Sequence, residues 1–461
     1  MPNLSNTPNE EALSPGETGQ HSSAVPPWPR PTYSWYVVLV LLLAYTLSFV
    51  DRMVLSLLVT PIRQALDISD TQFSLLVGMA FALFYTVAGL PIAWIADRYN
   101  RRNLIVGGIG LWSFMTLICG LATNYIGLFA ARVGVGIGEA TLSPAAYSML
   151  SDYFPRNKLS RAIAVYSVGV PLGSGIALML GALAIKAILL SPGISLPLVG
   201  HVDAWRLTFA FVAAPGLVVS LLMLTVREPF RRDQGAPTNP GKPEGFTAHV
   251  MAHKVTLGSI FAGMSMIGMV MYGTIAWVPA FMSRTYPISI TDAGLWFGVI
   301  MAVCGAAGLV LGGTIADRMF NKGRADAHIR TMRLSILLGG PFLVLMPLMP
   351  SATGALSLLA PGFLLITMHG VGSVALQLIT PNKFRARITA LYFFVVNLIG
   401  LGLGPTAIAL VTDMVFHDDA ALRYSIFIVA GTMLPLAALL LTLGLPHYRQ
   451  SIKNVSAVST K

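Results

Sequence analysis

Apolar residues run in long, nearly unbroken stretches along this chain, and polar residues gather in short segments between them. A helix that crosses a bilayer needs roughly 20 mostly apolar residues. Twelve stretches meet that length: 35–59, 72–96, 104–123, 125–150, 160–190, 205–226, 255–282, 291–316, 332–350, 352–379, 386–412 and 421–445. The pattern predicts an all-α polytopic membrane protein with twelve transmembrane helices. The longest polar gap, 227–254, contains "REPFRRDQGAPTNPGKPEG" and falls after the sixth stretch. It reads as a linker between two six-helix halves, 35–226 and 255–446. Residues 1–34 hold seven prolines and read as a disordered tail, and residues 447–461 as a second tail. No basic segment leads into the first apolar run, so that run is expected to be a retained helix and not a cleaved signal.

Composition agrees with the pattern. Hydrophobic residues make up 55% of the 461 and charged residues 11%, with a mean hydropathy of +0.72. Soluble chains carry about 25% charged residues. The two cysteines, Cys119 and Cys304, lie in apolar runs and offer neither a disulfide framework nor a metal site. The net charge of +11 is explained by where the cations lie. Of the Lys and Arg residues, 23 fall on segments of one side, five on the other and two, Arg52 and Arg132, inside runs. The positive-inside rule then puts both termini in the cytoplasm and removes any need for nucleic acid.

An internal repeat supports two parallel halves. "WIADRYNRR" (Trp94–Arg102) follows the second span and "TIADRMFNK" (Thr314–Lys322) the eighth. Asp97 and Asp317 are 220 residues apart, the offset that also separates spans one and seven. These loops resemble the signature Gly-x-Leu-Ala-Asp-Arg-x-Gly-Arg-Lys of the major facilitator superfamily. The first copy has Ala93 and Asn100 where the pattern has Gly. The resemblance implies a twelve-helix transporter with its site between the halves. It also implies a cytoplasmic gate at Asp97, Arg98, Arg101, Arg102, Asp317 and Arg318, to which Asp152 and Arg161 are added by position. Ordinary loop charges obeying the positive-inside rule are the alternative.

Away from span ends, the ionisable residues inside the runs are Asp51, Arg52, Arg132, Glu139 and His369. Charge at membrane depth is costly and marks a functional site by default. Arg132, Gly136, Glu139 and Ser143 share one helix face, as do Tyr45, Ser48, Arg52 and Ser56, with Asp51 about 100° round from Arg52. At about 1.5 Å per residue, Asp51 falls about 15 Å deep, Arg132 about 10 Å and Glu139 about 21 Å. Asp51, Arg52 and Glu139 are therefore expected to cluster, with Arg132 a turn or two above. Burial favours the protonated carboxyl and a neighbouring Arg the ionised one. Asp51 and Glu139 are the expected proton carriers and Arg52 their switchable partner. A structural ion pair between spans one and four is the alternative.

Shifted by 220, Asp51 and Arg52 correspond to Met271 and Tyr272, within "GMSMIGMVMYG". The C-terminal wall of the cavity is thus expected to be apolar and adaptable, which suits an amphipathic substrate. The expected substrate contacts are Arg52, Arg132, Glu139, Tyr45, Met271 and Tyr272. Tyr85, Tyr166, Gln377, Tyr392 and Asn397 are further candidate polar groups, and His369 either relays protons or bonds a neighbouring helix. "GVPLGSG" (Gly169–Gly175) resembles an element of antiporters in the superfamily, or serves close helix packing.

"SFVDRMVL", "ADRYNRR", "RVGVGIGEA" with "YSMLSDYFP", and "VGVPLGSGIALMLG" together resemble the spinster family of lipid transporters. That resemblance implies proton-coupled transport of lysolipids or phosphorylated sphingoid bases, with Asp51, Arg52 and Glu139 at the coupling site and Arg52 and Arg132 on a phosphate. Anion:cation symporters share the span-one Asp-Arg, so a small organic anion is the alternative cargo. A membrane sensor that binds without transport is an alternative of another class. No His-Glu-x-x-His, Walker loop or Ser/His/Asp set is present, so no enzyme is expected. The expectation is a monomeric, multi-pass protein of the cell membrane, the inner membrane in a bacterium, with protons as coupling ion and no other cofactor.

Overall fold

Twelve long apolar helices dominate the structure, a computed structural model that describes residues 27–189, 194–196, 200–231, 244–380 and 382–459. They are α1 (Pro31–Leu57), α2 (Asp70–Ala96), α3 (Arg101–Leu121), α4 (Tyr125–Tyr153), α5 (Arg161–Ala187) and α6 (Trp205–Met223) in the first half. The second half holds α7 (Lys254–Thr285), α8 (Ile290–Asn321), α9 (Ala327–Leu348), α10 (Ala352–Ile379), α11 (Arg387–Phe416) and α12 (Asp419–Lys453). Each expected span has its helix. Most of the N-terminal tail and the middle of the linker, 232–243, lie outside the described residues.

The ends differ from the sequence reading for local reasons. Pro31 opens α1 four residues early, at a position where its missing N–H leaves no bond unmade. The last helix continues to Ser459, so 447–459 are helical where a tail is expected. The linker contains a short helix, Glu244–Ala252, whose Phe246 ring meets Phe384 of the second half at 5.6 Å. Between α5 and α6 a small hairpin, β1 (Ile194–Leu196) and β2 (Gly200–Val202), pairs antiparallel with Ile194 opposite Val202. It is the one departure from an all-helical chain among the described residues.

Polar caps fix the helix starts. Ser69 and Gln72 form a reciprocal capping box at α2. Asn100, the departure from the glycine of the loop signature, accepts the Asn103 N–H at 2.9 Å and caps α3. Asn124, Ser289 and Ser351 do the same for α4, α8 and α10.

An even number of crossings puts the first residue of α1 and the last of α12 on one face, here the termini face; the other is the distal face. The halves meet along α5 with α8, α2 with α11, and α1 with α7. Gly175 of α5 and Gly298 of α8 press together: a Cβ on Gly175 would lie 2.5 Å from the Gly298 carbonyl oxygen. Only glycine permits that approach. "GVPLGSG" thus ends in a packing contact between the halves.

Candidate substrate site and its gates

Four buried charges form two crossed pairs. Arg52 donates to Glu139 Oε2 from Nε at 2.7 Å and from a terminal nitrogen at 2.5 Å. Asp51, its neighbour in sequence, faces the other way: Arg132 approaches its Oδ1 at 3.5 Å, and the Thr116 hydroxyl of α3 donates to Oδ2 at 2.5 Å. Consecutive helical residues diverge by about 100°. Arg52 therefore looks toward the interface between halves while Asp51 looks into the first half, against α3 and α4. Asp51, Arg132 and Glu139 are each 2% exposed or less. The expected cluster of Asp51, Arg52 and Glu139 with Arg132 above is corrected on one point: the long Arg132 side chain spans the turn that separates the backbones and pairs with Asp51.

Arg52 is enclosed by rings. Phe49, Phe81 and Tyr85 lie 5.0, 4.4 and 5.0 Å from its guanidinium carbon, a cation–π box. Glu139 Oε1 and Arg132 Nε have no hydrogen-bond partner among the described residues. Thr116, Phe49 and Phe81 are absent from the sequence reading, since neither hydroxyls nor phenylalanines stand out in an apolar run, and Tyr85 enters it only as a candidate polar group.

Two connected cavities lie between the halves. The smaller, about 30 Å³, is lined by Arg52, Phe81, Ser56, Tyr272 and Leu401. The larger, about 310 Å³, is lined by Phe49, Met53 and Pro171 of the first half and by Met264, Met271, Tyr272 and others of the second. Phe49, Met53, Tyr272 and Ile275 border both. Of the expected substrate contacts, Arg52, Met271 and Tyr272 line the cavities. Arg132 and Glu139 lie behind them, and Tyr45 stacks on Tyr166 at 4.8 Å and lines neither. Gln377 is exposed and also lines neither. The C-terminal wall is not wholly apolar, because His369, Ser373, Tyr392 and Asn397 open onto the larger cavity.

The distal face is locked across the halves. Asp70, fully buried at the start of α2, takes Arg63 of its own half at 2.9 Å and Arg284 of the other at 2.6 Å. Arg63 also reaches Asp419 of α12. The Thr71 N–H donates to Asp413 at 2.7 Å, and Lys186 meets Asp292 at 3.3 Å. These residues sit at span ends, where sequence reasoning counts them only as loop charges.

On the termini face the described ion pairs each stay within one half. Arg101 is 1% exposed and bridges Asp152 at 2.6 Å and Glu228 at 2.7 Å. Arg102 bonds the Leu224 carbonyl, Arg98 stacks on Trp94 at 3.8 Å, and the exposed Arg161 faces Trp35. Asp317 and Arg318 are exposed. The Asp97 side chain lies outside the described ones. Among the described ion pairs, those made by the expected gate residues stay inside the first half. In the second half Asp326 pairs with Arg330 at 2.8 Å and Arg449 at 2.5 Å.

The halves are thus tied by ion pairs at the distal face, with the Arg52–Glu139 pair beside the cavity between them. Residues 41–405 match the Major Facilitator Superfamily. An MFS-type efflux pump of Mycolicibacterium smegmatis is 28% identical over 92% of this chain and 95% of its own length. Spinster homolog 1 of Mus musculus is 27% identical over 86% of this chain and 78% of its own. A crystal structure of a bacterial homolog to the human lysosomal transporter Spinster, inward-facing and unoccupied, covers 92% of this chain and 98% of its own with a TM-score of 0.74 at 28% identity. With twelve spans in two halves and a profile match over most of its length, the chain belongs to the Major Facilitator Superfamily, and is a multi-pass membrane transporter and not an enzyme.

Proposed function

We propose that this transporter is proton-coupled and moves an amphipathic, lipid-like anion of the lysolipid or sphingoid-phosphate kind by alternating access. The observation that carries the reading is the Arg52–Glu139 pair beside the cavity. While Glu139 is ionised, Arg52 is neutralised. A proton on Glu139 removes that counter-charge, and the guanidinium then prefers an anionic group from the cavity, since charge-assisted pairs are the stronger ones. Proton and anion binding are thereby linked. Asp51, with Arg132 and Thr116, is the second carboxylate of the set and holds α1 against α3 and α4.

The apolar lining from Phe49, Met53, Met264 and Met271 suits an alkyl chain, and the sequence resemblance to the spinster family carries the same expectation. A small organic anion is the second reading. The volume of about 310 Å³ favours it, being at the low end for a ligand pocket and able to hold only part of a long lipid. We assign both termini to the cytoplasm from the cation count, which makes the distal lock the outer gate. Each chain holds a complete cavity, and a monomer is the working unit. Liposomes given a pH gradient and labelled lysophosphatidic acid or galactonate test the reading. Accumulation of either that a protonophore abolishes supports coupling and picks the cargo class; accumulation indifferent to the gradient sinks it.

A further inference from the structure

We propose that the second half carries an uncharged entry subsite, formed by Ser373, Tyr392 and Asn397 beside His369, that hydrogen-bonds a hydroxyl or amide of the substrate while Arg52 is still paired with Glu139. The inference rests on the larger cavity being the transport site.

All four residues line that cavity. Among the described residues, the Ser373 and Tyr392 hydroxyls and the Asn397 amide have no protein hydrogen-bond partner. The His369 Nδ1–H is used on the Ile366 carbonyl at 2.6 Å, which leaves Nε2 for the cavity. Of the other lining hydroxyls, Ser174 and Thr367 donate to carbonyls of their own helices at 2.8 Å, while Tyr272, on the side nearer Arg52, borders both cavities. A few convergent polar groups in a mostly apolar cavity are what fixes a ligand's orientation.

The backbone is shaped around these groups. Thr367–Val371 of α10 tightens into a 3-10 turn, and a π-helical stretch, Asn397–Leu401, begins at the amide itself. Such interruptions of a regular helix recur at functional sites. Gly372 gives the phenol its place, because a Cβ there would lie 3.1 Å from the Tyr392 hydroxyl oxygen. Among the described residues, no carboxylate, Lys or Arg lines the larger cavity. Its chemistry therefore selects uncharged donors and acceptors, and an ion gains nothing there until Arg52 is released.

The test uses the full chain in nanodiscs and two probes of equal chain length, 1-octanoylglycerol with two hydroxyls and methyl octanoate with none, titrated by calorimetry. Wild type is expected to bind the glyceride about 10-fold more tightly, the worth of one neutral hydrogen bond. Asn397→Leu with Tyr392→Phe should bring the two probes within about 2-fold while still binding the ester, which reports an intact cavity. Equal binding of both probes by wild type, or a preference that survives the two substitutions, overturns the proposal. Because no proton or transport is measured, failure here leaves proton coupling standing, and failure of coupling leaves this result standing.

Discussion

Arg284, at the end of α7, reaches across the two halves to Asp70 at the start of α2 and grips both carboxylate oxygens, at 2.6 and 2.9 Å. Asp70 is fully buried and also takes Arg63. One acid thus holds a guanidinium from each half and closes the distal face.

Asp70→Asn is expected to open that face. Removing one partner of a buried pair costs about 3 kcal/mol, because the other charge is left unpaired, and here two arginines are left to share the more exposed Asp419. Spin labels at the distal ends of the two halves should report longer distances in the variant. An unchanged distance distribution would show that glycine packing alone keeps the face shut.

The pairing of Asp51 with Arg132 yields a second expectation. Both are sealed away from the cavities, so Asp51→Asn should lower thermal stability markedly, by about 3 kcal/mol. Asp51→Asn combined with Arg132→Gln should restore part of it, with a coupling of about 1–3 kcal/mol. Strictly additive losses would mean that the two residues do not act as a pair.

Asp326 provides a pH test outside the membrane-spanning segments. Burial pushes its carboxyl up, but the hydrogen bonds from Arg330 and Arg449 outweigh that and hold it below the ordinary carboxylate range. A depressed acid stabilises the fold above its unfolded value, near 3.8, and loses that contribution as pH falls through the folded one. Asp326→Asn should therefore cost about 1 kcal/mol at neutral pH, given the partly exposed arginines, and less near pH 3, below the unfolded value. An equal loss at both pH values in thermal melts would contradict the assignment.

Much of this was legible in the chain. Apolar run length is enough to find twelve helices, and the offset between Asp97 and Asp317 is enough to find the halves. Helical periodicity also brought Arg52 and Glu139 to facing helices. It did not decide which acid each arginine takes, because depth along an axis ignores the reach of an arginine side chain. The distal lock was hidden for a different reason. Arg63, Asp70, Arg284 and Asp419 lie at span ends, far apart in sequence, and only the packing of the halves joins them. The polar patch at Ser373, Tyr392 and Asn397 was only partly visible, since neutral residues in helices carry no charge signal and the turns at Thr367 and Asn397 have no sequence mark.

The most direct test of the central claim is proton flux through the purified protein in liposomes loaded with a pH dye, on addition of lysophosphatidic acid, for wild type and Glu139→Gln. The account predicts substrate-triggered acidification or alkalinisation in wild type and none in the variant, which cannot return Arg52 to a charged partner. Equal flux in both proteins, or cargo movement with no proton flux in wild type, would contradict it and leave the Arg52–Glu139 pair a structural tie between α1 and α4.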